Sequence, residues 1–326
     1  MTRGPGDAPR LSPLLDYRPA LVGRDGIGRY VRELVRALAS RPEIAPRLFG
    51  ATRSRPAFSR AALGLDGSAA RLFAPRLPSK GIERLLASTR IGVERLVGGA
   101  DVVHNTQYRR LPTRVPEVAT VHDLVFLDSD AYVSPEVAAR MSAFVRDAAR
   151  RSAMLLTPSE TVADEVAARL DVERERVVAT PLGVDHVHRM ARDPAREEAL
   201  ARDVRDRGPF VFTAARVEVR KNLEVVLRAL EILGSQAPRW RLAGAPGYGA
   251  ASFDEALRRS TARERVERLG AIDEASLRAE LGACAAFVLV PFDEGFGLGP
   301  LEAMALGRPA ITSDVPVVRE LCAGGA

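Results

Sequence analysis

The sequence predicts an α/β protein built from two parallel-sheet domains. Short apolar runs that suit buried strands alternate with helical patterns along the whole chain, and this alternation is typical of parallel sheets. The length of 326 residues favours two domains over one. The last strand pattern of the first half ends at Gly183, and a charged segment follows it as far as Gly208. We therefore place the domains at residues 1–183 and 184–326, with their two sheets facing each other across a cleft.

The individual elements follow from apolar periodicity and from Gly and Pro punctuation. In the first domain we expect strands near 13–16, 46–51, 70–74, 101–104, 118–122, 153–157 and 176–180, and helices near 27–40, 81–97, 136–151 and 159–169. In the second domain we expect strands near 210–215, 239–243, 265–269, 285–290 and 309–313, and helices near 193–206, 222–235, 252–262, 274–283 and 300–306. The segment from Lys80 to Val97 should form one amphipathic helix that covers the sheet with its apolar side.

Composition narrows the class of protein. The apolar content of 46% is ordinary for a globular chain, and no apolar run approaches the roughly 20 residues of a membrane span. Residues 1–10 lack the apolar core of a signal peptide. Two cysteines, Cys284 and Cys322, are too few for a disulfide framework. These features together favour a reducing, cytoplasmic setting.

The charge of the chain is uneven. Residues 1–150 carry 24 basic and 15 acidic side chains, whereas residues 151–326 carry 24 basic and 27 acidic side chains. Between Arg47 and Arg95 there are 10 basic and 3 acidic residues, which suits an anionic membrane surface or nucleic acid. Nucleic acid is disfavoured because this stretch holds only three aromatic residues for base stacking. A peripheral contact with the inner face of the plasma membrane, through the basic first domain, stays open.

The most informative segment follows the apolar run 287–290, which suits a strand buried on both faces of a parallel sheet. Two carboxylates, Glu294 and Glu302, bracket this segment. Glycines between them let backbone N–H groups approach a ligand closely. The residues between the first glutamate and the next helix are Gly295, Phe296, Gly297 and Leu298.

A helix should follow this glycine-rich turn. Gly299 can cap the helix, Pro300 suits its first position and Gly307 can end it. Because a helix N-terminus favours an anion, the segment offers a phosphate site beside carboxylates for hydroxyl groups, as a sugar nucleotide requires. The alternative is that Glu302 only closes back on the helix N-terminus, as in a capping box.

A second charged segment follows the predicted strand 210–215. Arg216 and Lys221 stand at the carboxyl end of this strand, and Lys221 is one of only two lysines beside 46 arginines. A pyrophosphate needs several positive donors, one preferably a planar fork and one a point charge. The alternative is a solvated charge run with Asn222 as the N-cap of the next helix.

Three weaker signals also lie at predicted strand or helix ends. Gly26 and Gly28 precede the first helix, but the third glycine of a dinucleotide-binding fingerprint is missing. His122 ends a strand, where a neutral imidazole can hydrogen-bond a sugar hydroxyl or serve only as a satisfied histidine. Gly244 begins a Gly-Ala-Pro-Gly turn, which as turn chemistry alone is unremarkable.

Together these segments resemble the signature of retaining glycosyltransferases of family 4, which have the GT-B fold of two Rossmann-like domains. The resemblance implies that Glu294 contacts the donor sugar and that Glu302 holds the nucleotide ribose. It further implies that Arg216 and Lys221 grip the donor diphosphate. His122 would lie near the donor sugar and, with these two cations and Glu294, would form the catalytic set.

The resemblance also assigns binding roles to the glycines. Gly26 and Gly28 would let the chain pass close to the diphosphate and the acceptor, and Gly244 would lie near the nucleotide. Backbone atoms near Ala271 would hold the base. The segment that lines the substrate site would comprise Gly295, Phe296, Gly297 and Leu298 beside the two glutamates.

On this interpretation the chain transfers a sugar, mannose being favoured, from a GDP- or UDP-sugar to a glycan or lipid-linked acceptor. We expect no metal and no other cofactor, because positive side chains stand where a cation would. Two alternatives remain: a nucleotide-sugar epimerase of the same fold, and a non-catalytic fragment that binds sugar nucleotides. The second arises because relatives continue beyond the chain end at Gly324-Gly325-Ala326, so we expect a truncated product.

Overall fold

The computed structural model describes residues 10–23, 25–53, 63, 65, 68, 70–128 and 132–322. Within these residues the strands are β1 Pro13–Asp16, β2 Arg47–Phe49, β3 Arg71–Phe73, β4 Val102–Asn105, β5 Glu117–Thr120, β6 Met154–Thr157, β7 Val177–Ala179, β8 Phe210–Ala214, β9 Arg239–Ala243, β10 Val266–Gly270, β11 Ala286–Leu289 and β12 Ala310–Thr312. The helices are α1 Arg18–Val22, α2 Gly26–Ala39, α3 Ser79–Thr89, α4 Pro135–Arg151, α5 Glu160–Leu170, α6 His186–Arg189, α7 Pro194–Arg207, α8 Leu223–Leu233, α9 Ala250–Arg259, α10 Glu274–Ala283, α11 Leu298–Ala305 and α12 Pro316–Cys322.

The chain divides into two compact units. The first consists of Met1–His122, Ala139–Pro158 and Ala163–Thr180, and the second of Asp123–Ala138, Ser159–Val162 and Pro181–Ala326. Each unit contains one sheet, and every strand pair in both sheets is parallel. The predicted pair of parallel α/β sheets is therefore confirmed. The single domain boundary expected after Gly183 stays a prediction.

The first unit has a seven-stranded sheet in the order β3-β2-β1-β4-β5-β6-β7. In its centre, Leu14 of β1 lies opposite Arg47 of β2 and Val103 of β4. The order reverses at β1, and in such open parallel sheets ligands bind beyond the carboxyl ends of the strands. One cluster of the apolar core of this unit contains Leu14, Phe49, Ala51, Leu86, Val93, Val103 and Leu111.

The second unit has a five-stranded sheet in the order β10-β9-β8-β11-β12, with apolar clusters on both faces. On one face Trp240 packs with Leu227 and Phe253, and its indole Nε1 donates to Thr213 Oγ1 at 2.9 Å. On the other face Phe212 and Phe287 meet edge to face. Burial on both faces explains why β8 and β11 are nearly continuous apolar runs in the sequence.

Strand β9 is an exception, because it carries two buried arginines that alternate with its apolar residues. Arg241 donates to both carboxylate oxygens of Glu280, at 2.9 and 2.8 Å, and its guanidinium carbon lies 5.2 Å from the centre of the Phe210 ring. Arg196 also donates to Glu280, at 3.0 Å. These bonds give both oxygens of a fully buried carboxylate a guanidinium donor.

Most predicted elements are found within a few residues of the expected bounds, but two were wrong. The helix expected over 81–97 ends at Thr89, because Arg90 takes a left-handed conformation with φ 56°, and Val93–Val97 forms a separate 3-10 turn. The helix expected to start at Pro300 starts at Leu298, and Gly297, with φ 92°, occupies the N-cap position. Three helices were not expected: α1, α6 and α12.

Some predictions concern residues that the structure does not describe. They include part of the basic stretch between Arg47 and Arg95, the first nine residues, and the chain end at Gly324-Gly325-Ala326. Among the described helices, none is long and apolar enough to cross a membrane.

The buried ion pairs of β9 lead to a prediction about stability. Replacing Glu280→Ala leaves the Arg241 guanidinium buried without its bidentate partner, which should lower the free energy of unfolding by roughly 3–5 kcal/mol. The matched control, Glu197→Ala, removes the carboxylate of an exposed pair with Arg192 and should have a much smaller effect, because solvent screens such pairs. Chemical denaturation of both variants measures the difference, and similar losses would contradict the prediction.

Candidate functional site

The candidate site lies at the carboxyl ends of β8 and β11, which are neighbours in the sheet of the second unit. Because neighbouring parallel strands end at the same edge, the loops that follow them meet there. The loop after β8 carries Arg216 to Asn222, and the loop after β11 carries Pro291 to Gly297. These are the two segments that the sequence singled out.

A buried ion cluster joins the two loops. The ammonium group of Lys221 donates to both carboxylate oxygens of Glu294, at 3.0 and 2.7 Å. Arg220 Nη1 donates to Oε2 of the same carboxylate at 3.0 Å and to the backbone oxygen of Asp293 at 3.1 Å. All three side chains are largely buried, with exposed fractions of 11% for the lysine, 16% for the arginine and 15% for the glutamate. These three side chains together carry one net positive charge, and the carboxyl groups of Asp123 and Asp293 also interact with Arg220.

Backbone contacts fix the positions of both loops. Val219–Lys221 form a 3-10 turn, and Phe292 N donates to Arg220 O at 3.0 Å. Asn222 follows with φ 51°, and its side chain donates to Val290 O at 3.1 Å. Asn222 thus occupies the N-cap position of α8, but its side chain does not cap that helix. The alternative interpretation, a solvated charge run capped by Asn222, is wrong for this turn, because Lys221 is buried and the amide ties one loop to the other.

The opposite charges in this cluster stabilise one another's ionised forms, as the pKa values of Glu294 and Arg220 indicate. Burial alone raises the pKa of Glu294, but the positive charges of Lys221 and Arg220 oppose it and hold the pKa below its ordinary value. For Arg220, burial lowers the pKa, and the carboxylates of Glu294 and Asp123 more than reverse this effect. Burial also raises the pKa of the adjacent Asp293. At neutral pH, Glu294 is therefore a carboxylate held by two cations.

Arg216, the other predicted diphosphate ligand, lies outside this cluster. Its side chain is 53% exposed, and its Nε donates to Glu218 Oε1 at 2.8 Å. It follows the same strand as Lys221, so both reach the same sheet edge. Sequence reasoning did not assign a role to Arg220, which the structure places against Glu294. The signal was present, because Arg220 directly precedes the one lysine of this segment.

Glu302, the second glutamate of the motif, lies on α11 and is buried. Its Oε1 is 2.9 Å from Nε2 of His186, which is buried on the short helix α6. The sequence assigned no role to this histidine, since nothing in the spacing of 116 residues between the two indicates a contact. The imidazole restricts the direction of the carboxylate. The contact also joins the short helix α6 to α11.

Backbone geometry explains two of the glycines. Gly244 has φ 152°, and a Cβ atom there would lie 1.7 Å from the backbone oxygen of Ala215. A Cβ atom at Gly28, at the start of α2, would lie only 2.5 Å from Gly23 O, and the Gly28 N–H donates to the capping Asp25 side chain at 2.9 Å. Both positions need glycine for close backbone packing. Their predicted contacts with a ligand, like those of Gly26, stay predictions.

In the first unit, His122 follows the end of β5. Its Nε2 lies 2.9 Å from the backbone oxygen of Thr106, and the Tyr30 ring meets it edge to face at 5.2 Å between centres. Beneath this pair, Thr120 Oγ1 lies 3.0 Å from Tyr30 Oη and 2.7 Å from His104 Nε2. A neutral His122 therefore carries its proton on Nε2.

The supporting side chains in this network are uncharged at neutral pH. Burial lowers the pKa of His104 to about 4 and raises the pKa of Tyr30 to about 12. A neutral hydrogen-bonded network below His122 fixes the ring without adding charge. The predicted role of His122 near a donor sugar needs a neutral imidazole of this kind, and it stays a prediction.

Among the described residues, no group of three or more His, Cys, Asp or Glu side chains is arranged to hold a metal ion. The expectation that no metal or other cofactor is required stays a prediction.

Family models match both halves of the chain. Residues 24–188 match the model described as Glycosyltransferase Family 4, and residues 208–326 match the model described as Glycosyl transferases group 1. The first match alone covers half of the chain. Both candidate segments of the second unit lie within the second match.

Curated relatives include two O-antigen enzymes. The chain is 26% identical over 308 residues to O-antigen chain mannosyltransferase B of Escherichia coli, across 91% of this chain and 80% of the relative. It is 23% identical over 222 residues to O-antigen chain mannosyltransferase RfbU of Salmonella typhimurium, across 68% of this chain and 58% of the relative.

Solved structures show the same fold. HepE from Anabaena, solved in complex with UDP-glucose, superposes with a TM-score of 0.72 at 17% identity, across 95% of this chain and 82% of that one. WaaG, a glycosyltransferase involved in lipopolysaccharide biosynthesis, superposes with a TM-score of 0.65 at 15% identity, across 94% of this chain and 81% of that one. At these identities the likeness concerns the fold, and it confirms the predicted GT-B class.

The depressed pKa of Glu294 leads to a prediction about pH. A carboxyl group whose pKa is lowered by folding adds stability above its unfolded pKa, and this stability is lost as the pH falls through the folded value. The wild-type protein should therefore exceed Glu294→Gln in stability at neutral pH, and the gap should narrow once the pH falls below the ordinary glutamate value of 4.5. Urea denaturation across this range measures the gap, and a gap independent of pH would contradict the assignment.

Proposed function

The chain belongs to glycosyltransferase family 4, and from this premise we propose that it is a retaining hexosyltransferase that uses a nucleoside-diphosphate sugar as donor. The observation that carries the proposal is the buried cluster of Lys221, Arg220 and Glu294 at adjoining strand ends. The two cationic side chains suit the diphosphate, and the carboxylate suits the hydroxyl groups of a sugar. The acceptor would be a glycan or a lipid-linked glycan.

The donor that we favour is GDP-mannose. The relatives from Escherichia coli and Salmonella typhimurium are named as mannosyltransferases of the O-antigen chain, which supports mannose and a role in polysaccharide biosynthesis. HepE was solved with UDP-glucose, so a UDP-sugar is the second candidate.

In the proposed mechanism the cations stabilise the leaving diphosphate. Negative charge develops on the phosphate oxygen as the bond to the anomeric carbon breaks, and Lys221, Arg220 and Arg216 would be preorganised to meet it. These side chains would take the role that a divalent metal has in other transferases, so the reaction would need no metal.

The two glutamates would have different tasks. Glu294 would accept hydrogen bonds from hydroxyl groups of the transferred sugar and so orient its anomeric carbon. Glu302, held by His186 at 2.9 Å, would accept from the ribose hydroxyl groups. Fixing both ends of the donor converts part of its binding energy into correct orientation for attack.

Retention of configuration requires the acceptor to attack the face that the diphosphate leaves. A leaving phosphate oxygen on that face can take the proton of the acceptor hydroxyl, so the chain need not supply a general base there. His122, with its proton on Nε2 when neutral, would then hydrogen-bond the donor sugar rather than remove the acceptor proton.

Two other functions are less well supported. A nucleotide-sugar epimerase would need its own acid and base beside the sugar, and the relatives reported above are transferases by name. A sugar-nucleotide-binding protein without activity would show donor binding but no transfer.

One set of measurements tests the proposal. GDP-mannose, UDP-glucose and dTDP-glucose are compared by calorimetry and by thermal unfolding, where a ligand at 100 times its dissociation constant should stabilise by about 2.7 kcal/mol. The bound donor is then incubated with a lipid-linked glycan fraction, with and without EDTA, and the product linkage is analysed by NMR. We expect transfer that survives EDTA and retains the anomeric configuration.

Variants of the cations serve as internal controls for these measurements. Arg216→Ala and Lys221→Ala should each weaken binding of the nucleoside diphosphate by about 1.5–3 kcal/mol, whereas Arg192→Ala, an exposed arginine of the same unit, should not. Unchanged affinity in both site variants would refute the assigned diphosphate site. An epimerised donor, or transfer that EDTA abolishes and added magnesium restores, would refute the proposed reaction.

We also propose that the first unit contacts an anionic membrane surface through residues 71–96. This segment exposes apolar side chains, among them Leu85 at 61% and Leu77 at 52%. Its two acidic residues are buried or paired, since Glu94 is buried and Glu83 binds Arg18 and Arg109. The exposed basic residues of the segment are Arg71, Arg76, Lys80, Arg84, Arg90 and Arg95.

Vesicle sedimentation tests the membrane contact. The protein should sediment with phosphatidylglycerol vesicles and not with phosphatidylcholine vesicles, because basic residues near an anionic surface add about 1 kcal/mol each. Leu85→Asp should weaken this binding, whereas Ile232→Asp, at an 85% exposed position of the second unit, should not. Equal binding by both variants would contradict the proposed surface.

A further inference from the structure

The charge proposed to bind the diphosphate already has a partner in the protein. Both oxygens of Glu294 lie within 3.0 Å of the Lys221 ammonium group, and Arg220 binds the same carboxylate. A phosphate arriving at Lys221 would compete with a carboxylate that is buried, ionised and held in place. The affinity for a diphosphate thus depends on what happens to Glu294.

We propose that Glu294 is a resident counter-ion that makes the site select an intact sugar nucleotide over the free nucleoside diphosphate. This inference rests on the proposed function and adds a specificity determinant to it. The carboxylate competes with any diphosphate for Lys221. Only a ligand with a second sugar, attached to its diphosphate, offers hydroxyl groups to the carboxylate in exchange.

The competition has a simple electrostatic basis. A free nucleoside diphosphate brings negative charge beside Glu294 and takes over part of its hydrogen bonding with Lys221. The carboxylate then loses donors in a partly buried site, where unmet charge is costly. Sugar hydroxyl groups replace the lost donors, so the intact donor does not leave Glu294 unsatisfied. Product dissociation is favoured for the same reason, because cleavage removes the sugar that satisfied the carboxylate.

The backbone around Glu294 prevents it from simply moving away. On one side, Phe292 N is bonded to Arg220 O at 3.0 Å. On the other side, Phe296 is buried and Gly297 is in the left-handed conformation that begins α11. Arg220 binds both the carboxylate and the preceding backbone oxygen. The carboxylate is therefore fixed at the cations, and its position persists unless a ligand replaces the contact.

A different role for Glu294 gives the opposite expectation. If the carboxylate only holds Lys221 in position for a phosphate that binds beside it, then removing its charge should weaken diphosphate binding. If the carboxylate competes for Lys221, removing its charge should strengthen that binding. The direction of one change in affinity thus separates the two roles.

Calorimetric titration of Glu294→Gln with free GDP and UDP, and with GDP-mannose and UDP-glucose, tests the inference. The amide keeps the shape of the side chain and removes its charge. We expect the free nucleotide to bind about tenfold tighter than in the wild type, equivalent to about 1.4 kcal/mol. The affinity for the intact donor should rise less than the affinity for the free nucleotide. The preference for donor over free nucleotide should therefore fall. Equal or weaker binding of the free nucleotide overturns the inference.

Three further variants keep the result interpretable. Glu197→Gln removes the same charge from an exposed pair of the same unit and should leave both affinities unchanged. Glu294→Asp keeps the charge but shortens its reach, so it should tighten free nucleotide binding less than the amide does, and it provides a readout if the amide variant does not fold. In a Lys221→Met background the gain from Glu294→Gln should shrink, and an undiminished gain overturns competition at Lys221.

Failure of this inference can be told apart from failure of the proposed function. If the wild-type protein binds neither a nucleoside diphosphate nor a sugar nucleotide, the proposed donor site is wrong and the inference falls with it. If the wild type binds both and Glu294→Gln does not tighten the free nucleotide, the donor site stands and only the inference is refuted.

Discussion

The ion cluster of Lys221, Arg220 and Glu294 is the interaction on which the arrangement of the second unit's site depends. Three charged side chains are buried there, which is costly unless they meet one another with good hydrogen-bond geometry. They meet because β8 and β11 are neighbours in a parallel sheet, so the loops after them reach the same edge. The strand order, the 3-10 turn after β8 and the glycine-rich turn after β11 all serve to bring these charges together.

The same sheet shows that buried charge alone does not indicate a ligand site. Arg241 and Glu280 are as buried as the cluster residues, but they pair across one face of the sheet with complete bidentate geometry and neighbouring arginines. They lie within the layer between sheet and helices rather than in the loops beyond the strand ends. Buried charges that lie beyond the carboxyl ends of the strands are therefore the candidates for ligand binding, whereas those between the sheet and its helices stabilise the fold.

In the first unit, the polar side chains that support the end of β5 are uncharged. His104, Thr120 and Tyr30 form a buried hydrogen-bonded chain beneath His122. The Tyr30 ring helps to fix the tilt of His122, and the backbone oxygen of Thr106 selects its neutral tautomer. The strand ends of the first unit thus differ from one another: an oriented imidazole follows β5, whereas Asp16 at the end of β1 forms a buried ion pair with Arg18.

Apolar patterning predicted the architecture well because central strands such as β1 and β8 are largely buried. The strand predicted at 239–243 and the helix predicted at 274–283 have the bounds that the structure shows. Local backbone conformations were harder to predict. The left-handed Arg90 divides what reads as one amphipathic helix, and a non-glycine residue with positive φ has no clear signature in the sequence.

The motifs indicated which residues of the site matter but not which of them touch. Glu294 and Lys221 were both predicted, yet their direct pairing depends on strand order, which spacing along the chain does not reveal. His186 was missed for a similar reason, since its contact with Glu302 joins residues 116 positions apart. Pairings of this kind are set by tertiary packing, so single-sequence patterns carry little information about them.

A crystal structure of the protein with a bound sugar nucleotide tests the central claim most directly. The account predicts the diphosphate within hydrogen-bond distance of Lys221 Nζ, with hydroxyl groups of the sugar bonded to the Glu294 carboxylate and those of the ribose to Glu302. A donor bound elsewhere, with the bonds between Lys221 and Glu294 unchanged and neither glutamate in contact with it, would contradict the account.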